Sequence, residues 1–228
     1  MSGKVGVIIP AAGAGKRLGG VSKPLIEIGG KPLILRLLKL FAELRSVSRI
    51  CIAVPSEGIS GFTAIVKSSG YAALIGIVGG GAERTVSVKN AYESLKTFLD
   101  DDDLVCIHDA ARPLLSTEDL QRVIEAGWEH GAAFLASRVK DTLKVVDKKG
   151  FCASTIDRSS VYAAQTPQVI RSGLLKSAYD RVSDYSGLTD EIMLMEKIGV
   201  RAYVVEPRHV NFKITTPEDL DLLRKFIS

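Results

Sequence analysis

The chain contains 228 residues, of which 46% are hydrophobic and 25% are charged, and this is enough apolar material for the core of one large domain. Its net charge of +4 is modest and its aromatic content only 6%, which gives little support to a nucleic-acid-binding surface and fits small anionic ligands better. No apolar run approaches the length of a membrane span or a signal peptide, so we expect a cytoplasmic protein with no membrane partner.

Apolar, β-branched runs alternate with segments of helical period along the first 137 residues. Helices are predicted near 32–44, 58–69, 83–98 and 117–129. Strands are predicted at 5–9, 50–54, 73–78, 104–107 and 132–137. Because these strands are continuously apolar, they predict an α/β fold in which a mainly parallel sheet is covered by helices on both faces.

The alternation of predicted strands and helices is interrupted after residue 138. The runs TLKVVD and FCASTI flank a turn-like Lys-Lys-Gly and predict a β-hairpin over 139–160 that projects from the sheet. Helices near 172–183 and 188–198, a strand at 201–206 and a final helix with Thr216 as N-cap and Pro217 at its first position complete the chain. We interpret 1–228 as a single domain in which the 139–160 hairpin is an arm for homodimerisation.

The loop PAAGAGKRLGG follows the first strand and combines small residues with cations. A P-loop would need glycine where Pro10 stands and serine or threonine where Arg17 stands, and the dinucleotide fingerprint would need a third glycine at Leu18. What remains is a backbone cradle in which small residues expose N–H groups, while Arg17 and Lys23 supply charge for phosphates. The alternative is a tight turn with solvated lysines.

A second motif, HDAARP, ends the strand at 104–107. Its position predicts that Asp109 and Arg112 lie at the carboxyl edge of the sheet, where open α/β sheets bind ligands. Asp109 can help to hold a cation there and Arg112 a phosphate, although a simple Asp109–Arg112 pair is the alternative. His108 is more typical of a hydrogen-bonded packing residue than of a catalyst.

Further motifs follow in order, namely GGAERTVSV, QTPQ, TDE and NFKIT followed by TPEDL. The first loop resembles that of nucleotidylyltransferases, and the ordered set resembles the 2-C-methyl-D-erythritol 4-phosphate cytidylyltransferases of the nonmevalonate isoprenoid pathway. The resemblance implies a Rossmann-like nucleotidylyltransferase fold and transfer of a cytidylyl group from CTP to 2-C-methyl-D-erythritol 4-phosphate, with release of pyrophosphate and a requirement for Mg²⁺. One departure is that Ser22 and Pro24 flank Lys23, where the family usually has Pro and Gln.

The same resemblance implies roles for individual residues. The catalytic cations are implied to be Arg17, Lys23 and Lys213. The nucleotide site is implied to consist of Ala11, Ala12, Gly13, Ala14, Gly15, Gly81, Ala82 and Ser87. The polyol phosphate is implied to contact Asp109, Arg112, Thr142, Arg158 and Thr166. The metal is implied to be held by Asp109 or otherwise through the CTP phosphates.

The same residues leave three alternative functions to consider. Ribitol-5-phosphate cytidylyltransferases typically begin the loop with Leu-Ala-Gly-Gly and tend to have Val where Ala111 stands, so both positions favour the isoprenoid family. The SKPL segment alone favours a hexose-1-phosphate nucleotidylyltransferase. A dinucleotide-binding reductase or a non-catalytic nucleotide-binding regulator is a further alternative, and the lost third glycine argues against the reductase.

Overall fold

The computed structural model describes residues 3–13 and 22–227. Its strands are β1 (Val5–Pro10), β2 (Glu27–Ile28), β3 (Lys31–Pro32), β4 (Val47–Val54), β5 (Ile75–Gly79), β6 (Leu104–Ile107), β7 (Ala132–Arg138), β8 (Lys144–Val146), β9 (Cys152–Thr155), β10 (Tyr162–Arg171) and β11 (Tyr203–Val205). Its α-helices are α1 (Leu33–Ala42), α2 (Ile59–Ser68), α3 (Arg84–Leu95), α4 (Thr117–His130), α5 (Ser172–Arg181), α6 (Glu191–Lys197) and α7 (Pro217–Ile227).

Seven strands form the central sheet in the order β5-β4-β1-β6-β10-β7-β11. Every strand except β10 runs in the same direction, and β10 is antiparallel to both of its neighbours. Helices cover both faces, so the predicted α/β architecture is confirmed. The carboxyl ends of β1, β4, β5 and β6 meet at one edge of the sheet, which is where the loops singled out in the sequence begin.

The two faces of the sheet carry separate apolar clusters. Val7 of β1 is fully buried in the cluster that includes apolar residues of α1, α2 and α4, whereas the adjacent Ile8 is buried with residues of α3, α5 and α6. Neighbouring residues of a strand point to opposite faces, so a strand covered on both sides must be apolar at every position. A full burial of this kind stabilises the fold by about 2 kcal/mol per large aliphatic side chain.

Strand β10 is the main element that the sequence prediction missed. Its residues read YAAQTPQVIR, and the proline at 167 is a residue type that is rare within central strands. The register with β7 shifts between Ala164 and Gln168, and this irregularity accommodates the proline within a ten-residue strand. The predicted helices near 188–198 and 83–98 are also shorter, at 191–197 and 84–95.

The predicted hairpin is present within the 139–160 segment. Strands β8 and β9 pair in antiparallel fashion and form a two-stranded sheet of their own, and every residue of both strands is exposed. The side chain of Phe151, in the turn region, is 70% exposed. The apolar side chains of Val145, Val146 and Phe151 are therefore left largely uncovered by the described residues of this chain.

None of the helices in residues 3–13 and 22–227 has both the length and the apolar character needed to cross a lipid bilayer.

Candidate active site

A cavity of about 640 Å³ opens at the carboxyl edge of the sheet, between the loops that follow β1, β5 and β6. Residues from both ends of the chain share its wall. The lining residues are Pro10, Ala11, Ala12, Gly13, Lys23, Pro24, Gly81, Ala82, Glu83, Arg84, Ser87, Asp109, Ala110, Ala111 and Lys213. Helix α3 begins at this wall, so the positive end of its dipole favours an anionic ligand.

The loops after β1 and β5 approach each other closely, and small residues make this possible. A Cβ atom added to Gly80 would lie 2.3 Å from Cβ of Ala12, which is far inside van der Waals contact. The backbone of Ala11 donates to the carbonyl of Ala53 at 2.7 Å, and that of Gly80 donates to the carbonyl of Val54 at 2.7 Å. Both loops are thus fixed to the end of β4, and their small residues leave the backbone accessible to a ligand.

The hydroxyl of Ser87 holds the second loop in shape. Its oxygen accepts the backbone N–H of Gly81 at 3.0 Å and donates to the carbonyl of Glu83 at 3.0 Å. Ser87 is 2% exposed, so its principal contact is with the loop itself. Ser87 therefore lines the predicted nucleotide site and orders the backbone of Gly81 and Ala82.

Asp109 lies at the centre of a cluster of charges. Its Oδ1 accepts from Nε of Arg84 at 3.0 Å, and its Oδ2 accepts from Nζ of Lys213 at 2.7 Å. Burial alone acts to raise the pKa of Asp109, but Arg84 and Lys213 outweigh it and hold that pKa well below its ordinary value. The carboxylate is therefore charged at neutral pH, and it fixes two cations at the wall of the cavity.

Lys23 also reaches the cavity, although its neighbours depart from the family pattern. It begins a short 3₁₀ turn, Lys23–Leu25, in which Pro24 is buried, and its Nζ donates to the carbonyl of Ile214 at 2.8 Å. The two lysines implied to be catalytic thus meet at one wall, since Ile214 follows Lys213 directly. Ser22 and Pro24 do not displace Lys23 from the predicted site.

The segment that carries Lys213 is bound to the loop after β6. The backbone N–H of Ile214 donates to the carbonyl of Ala111 at 2.8 Å, and Nη1 of Arg112 donates to the carbonyl of Asn211 at 2.7 Å. Asn211 is 4% exposed, and its Nδ2 donates to the carbonyl of Thr166 at 2.9 Å. This explains how a lysine near the end of the chain is placed beside Asp109.

His108 and Thr166 support the loop from behind. Nε2 of His108 contacts the carbonyl of Arg112 at 2.9 Å, so this nitrogen carries the proton, and Nδ1 accepts from the hydroxyl of Thr166 at 3.1 Å. The same hydroxyl oxygen accepts the backbone N–H of Asp109 at 3.0 Å. Burial lowers the pKa of His108 to about 4, so the ring is neutral, and the predicted packing role is confirmed.

The described residues offer little to a metal ion by themselves. No group of three or more His, Cys, Asp or Glu side chains within residues 3–13 and 22–227 is arranged to hold one. Asp109 is the carboxylate implied for this role, and both of its oxygens are engaged by cations. This fits a Mg²⁺ ion that arrives on the triphosphate, because such ions need only one or two carboxylates beside the phosphate oxygens.

Nine of the residues implied for the site line one cavity, and four others in the described part of the chain do not. Arg112 and Thr166 are not among the lining residues; Nη1 of Arg112 donates to the carbonyl of Asn211, and the hydroxyl of Thr166 accepts from the backbone N–H of Asp109. Thr142 and Arg158 lie on the exposed hairpin and are not among the lining residues, and Arg158 donates to the carbonyl of Lys140. Three more of the implied residues, Ala14, Gly15 and Arg17, fall outside the described part of the chain.

Two charged residues at the site were not recognised in the sequence. Arg84 lies within the GGAERTVSV motif, but its partners come from distant parts of the chain. Glu191 belongs to the TDE motif, which reads as a plain helix N-cap, and Asp190 does cap α6 by accepting from the backbone of Met193. A glutamate directly after a capping residue is ordinary in a sequence, so only its burial distinguishes it.

Comparison with known protein families gives a match over nearly the whole chain. The family model described as IspD, 2-C-methyl-D-erythritol 4-phosphate cytidylyltransferase, matches residues 5–227. A relative of that name from Endomicrobium trichonymphae is 38% identical over 225 residues, which cover 98% of this chain and 99% of the relative.

Solved structures give the same result. A crystal structure of 4-diphosphocytidyl-2C-methyl-D-erythritol synthase superposes with a TM-score of 0.82 at 30% identity and covers 99% of this chain and 100% of the other. The Francisella tularensis 2-C-methyl-D-erythritol 4-phosphate cytidylyltransferase superposes with a TM-score of 0.78 at 32% identity, and the coverage is 97% and 99%. The described fold is therefore shared with these enzymes over nearly its full extent.

Proposed function

The chain belongs to the 2-C-methyl-D-erythritol 4-phosphate cytidylyltransferase family, and on this premise we propose that its cavity binds CTP and transfers the cytidylyl group to 2-C-methyl-D-erythritol 4-phosphate. The products are 4-diphosphocytidyl-2-C-methyl-D-erythritol and pyrophosphate. The observation that carries the residue assignment is the meeting of two small-residue loops with Lys23, Lys213 and Asp109 at one cavity. Ala11, Ala12 and Gly13 line the triphosphate side, and Gly81, Ala82 and Ser87 border the nucleoside.

The chemistry requires no general base. A phosphate monoester has a second pKa of about 6, so the acceptor phosphate is already an anionic nucleophile at neutral pH. The obstacle is the repulsion between this anion and the triphosphate, together with the charge that builds up as pyrophosphate leaves. Lys23 and Lys213 offset this negative charge with fixed positive charge. Fixed charge in a cleft that excludes water stabilises such a transition state efficiently. Arg17, on the sequence argument, adds a third cation.

The reaction also calls for a divalent cation, which we propose to be Mg²⁺ bound chiefly to the CTP phosphates. When bound, the ion neutralises charge on the phosphate oxygens and orients them. Two carboxylates of the described residues, Glu83 and Asp109, line the cavity, and Asp109 is the one that the family resemblance implies as a metal ligand. Its present contacts with Arg84 and Lys213 mean that its first task is to orient those cations.

We propose a homodimer in which each hairpin arm reaches the partner's cavity, so that Thr142 and Arg158 complete the polyol-phosphate site of the other chain. The support is that the arm is exposed on all of its residues in β8 and β9 and that neither side chain lines the cavity of its own chain. Arg112 and Thr166 shape the same side of the site from behind. We treat the chain as a single cytoplasmic domain with this arm.

The experiment is a matrix of nucleoside triphosphates and phosphorylated acceptors with pyrophosphate release as the readout. The nucleotides are CTP, UTP and dTTP, and the acceptors are 2-C-methyl-D-erythritol 4-phosphate, ribitol 5-phosphate and glucose 1-phosphate. We expect turnover of CTP with the methylerythritol phosphate and its loss on addition of EDTA. Preferred turnover of ribitol 5-phosphate or of a hexose phosphate would contradict the assignment.

A further inference from the structure

Glu191 is a fully buried carboxylate at the start of helix α6. Its side chain is 0% exposed, and its backbone N–H donates to Oε1 of Gln168 at 3.1 Å. Oε2 accepts from Nη1 of Arg84 at 2.6 Å, whereas Oε1 has no hydrogen-bond partner among the described residues. Glu191 does not line the cavity, so it is one residue removed from any ligand that binds there.

Stability gives a weak reason for a charge at this position. Removing a carboxylate from water costs several kcal/mol, and packed apolar residues often replace a buried ion pair with no loss of stability. Burial raises the pKa of Glu191, while the Arg84 guanidinium opposes this rise. An unsatisfied Oε1 adds to the cost. The contact with Arg84 is therefore the feature that an apolar residue could not reproduce.

Arg84 joins this carboxylate to the wall of the cavity. Its Nη1 contacts Glu191, and its Nε contacts Oδ1 of Asp109 at 3.0 Å. The guanidinium is planar and rigid, so fixing one side of it also fixes the direction in which the other side points. Burial disfavours its charged form, but the two carboxylates outweigh burial and raise the pKa of Arg84. Arg84 thus remains a cation that is held from both sides.

The chain of contacts ends at a lysine implied to be catalytic. The second oxygen of Asp109 accepts from Nζ of Lys213 at 2.7 Å, so the charges alternate in the order Glu191, Arg84, Asp109, Lys213. The side chain of Lys213 is 39% exposed on the cavity wall, and the residue lies outside the described helices and strands. Its direction therefore depends on Asp109, and that of Asp109 depends on Arg84.

We infer that Glu191 is a positioning residue for cytidylyl transfer, which acts through Arg84 and Asp109 to aim Lys213 at the reacting phosphates. The inference rests on the proposed function and deepens it. Without the Glu191 charge, Arg84 is attracted to Asp109 alone. The Asp109 carboxylate then turns, and the Lys213 ammonium moves away from its position without any change in the loops that bind the nucleotide.

The test begins with Glu191→Gln, which keeps the shape of the side chain and one acceptor for Arg84. We expect kcat with CTP and 2-C-methyl-D-erythritol 4-phosphate to fall roughly tenfold, while KM for CTP stays within about twofold. The matched control is Asp103→Asn. Asp103 is also a buried carboxylate, but it accepts the backbone N–H groups of Lys4 and Asp100 at the opposite edge of the sheet. This control should lose stability and keep kcat.

A double-mutant cycle with Lys213→Ala separates positioning from a structural role. If Glu191 acts through Lys213, Glu191→Gln should lower kcat less than about twofold once Lys213 is absent, since residues that act as one unit are not additive. An equal loss in both backgrounds would overturn the inference. So would an unchanged kcat in the single variant.

A second variant covers the case in which Glu191→Gln does not fold. Glu191→Asp keeps the charge but shortens the side chain by one methylene group, and it should show a severalfold loss of kcat that again disappears without Lys213. Failure of both variants to fold would count against the inference, because it would show that Glu191 serves stability.

The activity of the unmodified enzyme distinguishes the positioning role from the proposed function. If it fails to turn over the two substrates, the proposed function is wrong, whereas normal turnover with an additive cycle refutes the positioning role alone.

Discussion

Nζ of Lys213 lies 2.7 Å from Oδ2 of Asp109, although 104 residues separate the two in the chain. The salt bridge joins a loop at the end of β6 to a segment that lies between β11 and α7. It places a cation over the cavity and holds it there before any substrate is bound. A cation that is already in position needs no rearrangement as charge develops, which is the condition for efficient electrostatic catalysis.

The first prediction concerns Lys213. Lys213→Ala should lower kcat about a hundredfold and change KM for CTP little, because the charge that it meets develops mainly in the transition state. Steady-state kinetics with both substrates would measure the two parameters separately. Lys176→Ala is the control, since Lys176 is an exposed lysine paired with Asp180 on α5. If the Lys213 variant raised only KM for CTP, the lysine would be a ground-state nucleotide ligand instead.

The second prediction concerns the approach of the two loops. Gly80→Ala should destabilise the protein by about 1–3 kcal/mol and raise KM for CTP roughly tenfold, because its Cβ would force the loop away from Ala12. Urea denaturation and initial rates would measure the two effects. The control is Gly61→Ala in α2, where an added Cβ meets nothing within 4 Å. This control should be neutral or stabilising by up to about 1 kcal/mol, and similar behaviour of the two variants would refute the close-approach argument.

The third prediction concerns pH and His108. Its pKa is about 4 in the folded protein and about 6.5 in the unfolded chain, so the unfolded state binds more protons between these values. Stability should therefore fall as the pH drops from 6.5 to 4, and this one residue should account for about 3 kcal/mol of the loss. Below pH 4 its contribution to the slope ends.

The pH prediction is checked by comparing two slopes. The free energy of unfolding would be measured across pH 4–7 for the unmodified protein and for His108→Gln. The variant is expected to be less stable at pH 7, because Thr166 and Arg112 lose their partner, but its stability should depend less on pH. Equal slopes for the two proteins would show that His108 is not the titrating group.

The fourth prediction concerns the exposed arm. Lys213→Ala and Arg158→Ala should each be nearly inactive, and co-refolding of the two should restore about a quarter of the unmodified activity. If Arg158 acts on the partner's site, each heterodimer has one site without either change and one with both, and half of the dimers formed by random pairing are heterodimers. A mixture shown to contain heterodimers but lacking activity would exclude the shared site.

The sequence by itself determined the parts of this protein that depend on local patterns. The continuous apolar runs predicted the strands and the covered sheet, and the small residues after β1 predicted a loop that brings its backbone to a ligand. The hairpin in 139–160 was predicted from its turn and from the interruption of the strand–helix alternation. Asp109 was singled out by its position at the end of a predicted strand, and Lys213 by a motif that resembles those of a known family, but neither pattern required the two residues to be in contact.

Only the tertiary structure decided which groups meet. Strand β10 was missed because a proline argues against a central strand, and the register shift that accommodates it is a property of the pairing with β7. The hydroxyl of Thr166, a residue implied to contact the polyol phosphate, lies between His108 and the backbone of Asp109, and no local pattern predicts these two contacts. The link from Glu191 through Arg84 joins helix starts 107 residues apart. Such contacts depend on how the chain packs at long range, and a local pattern carries no record of them.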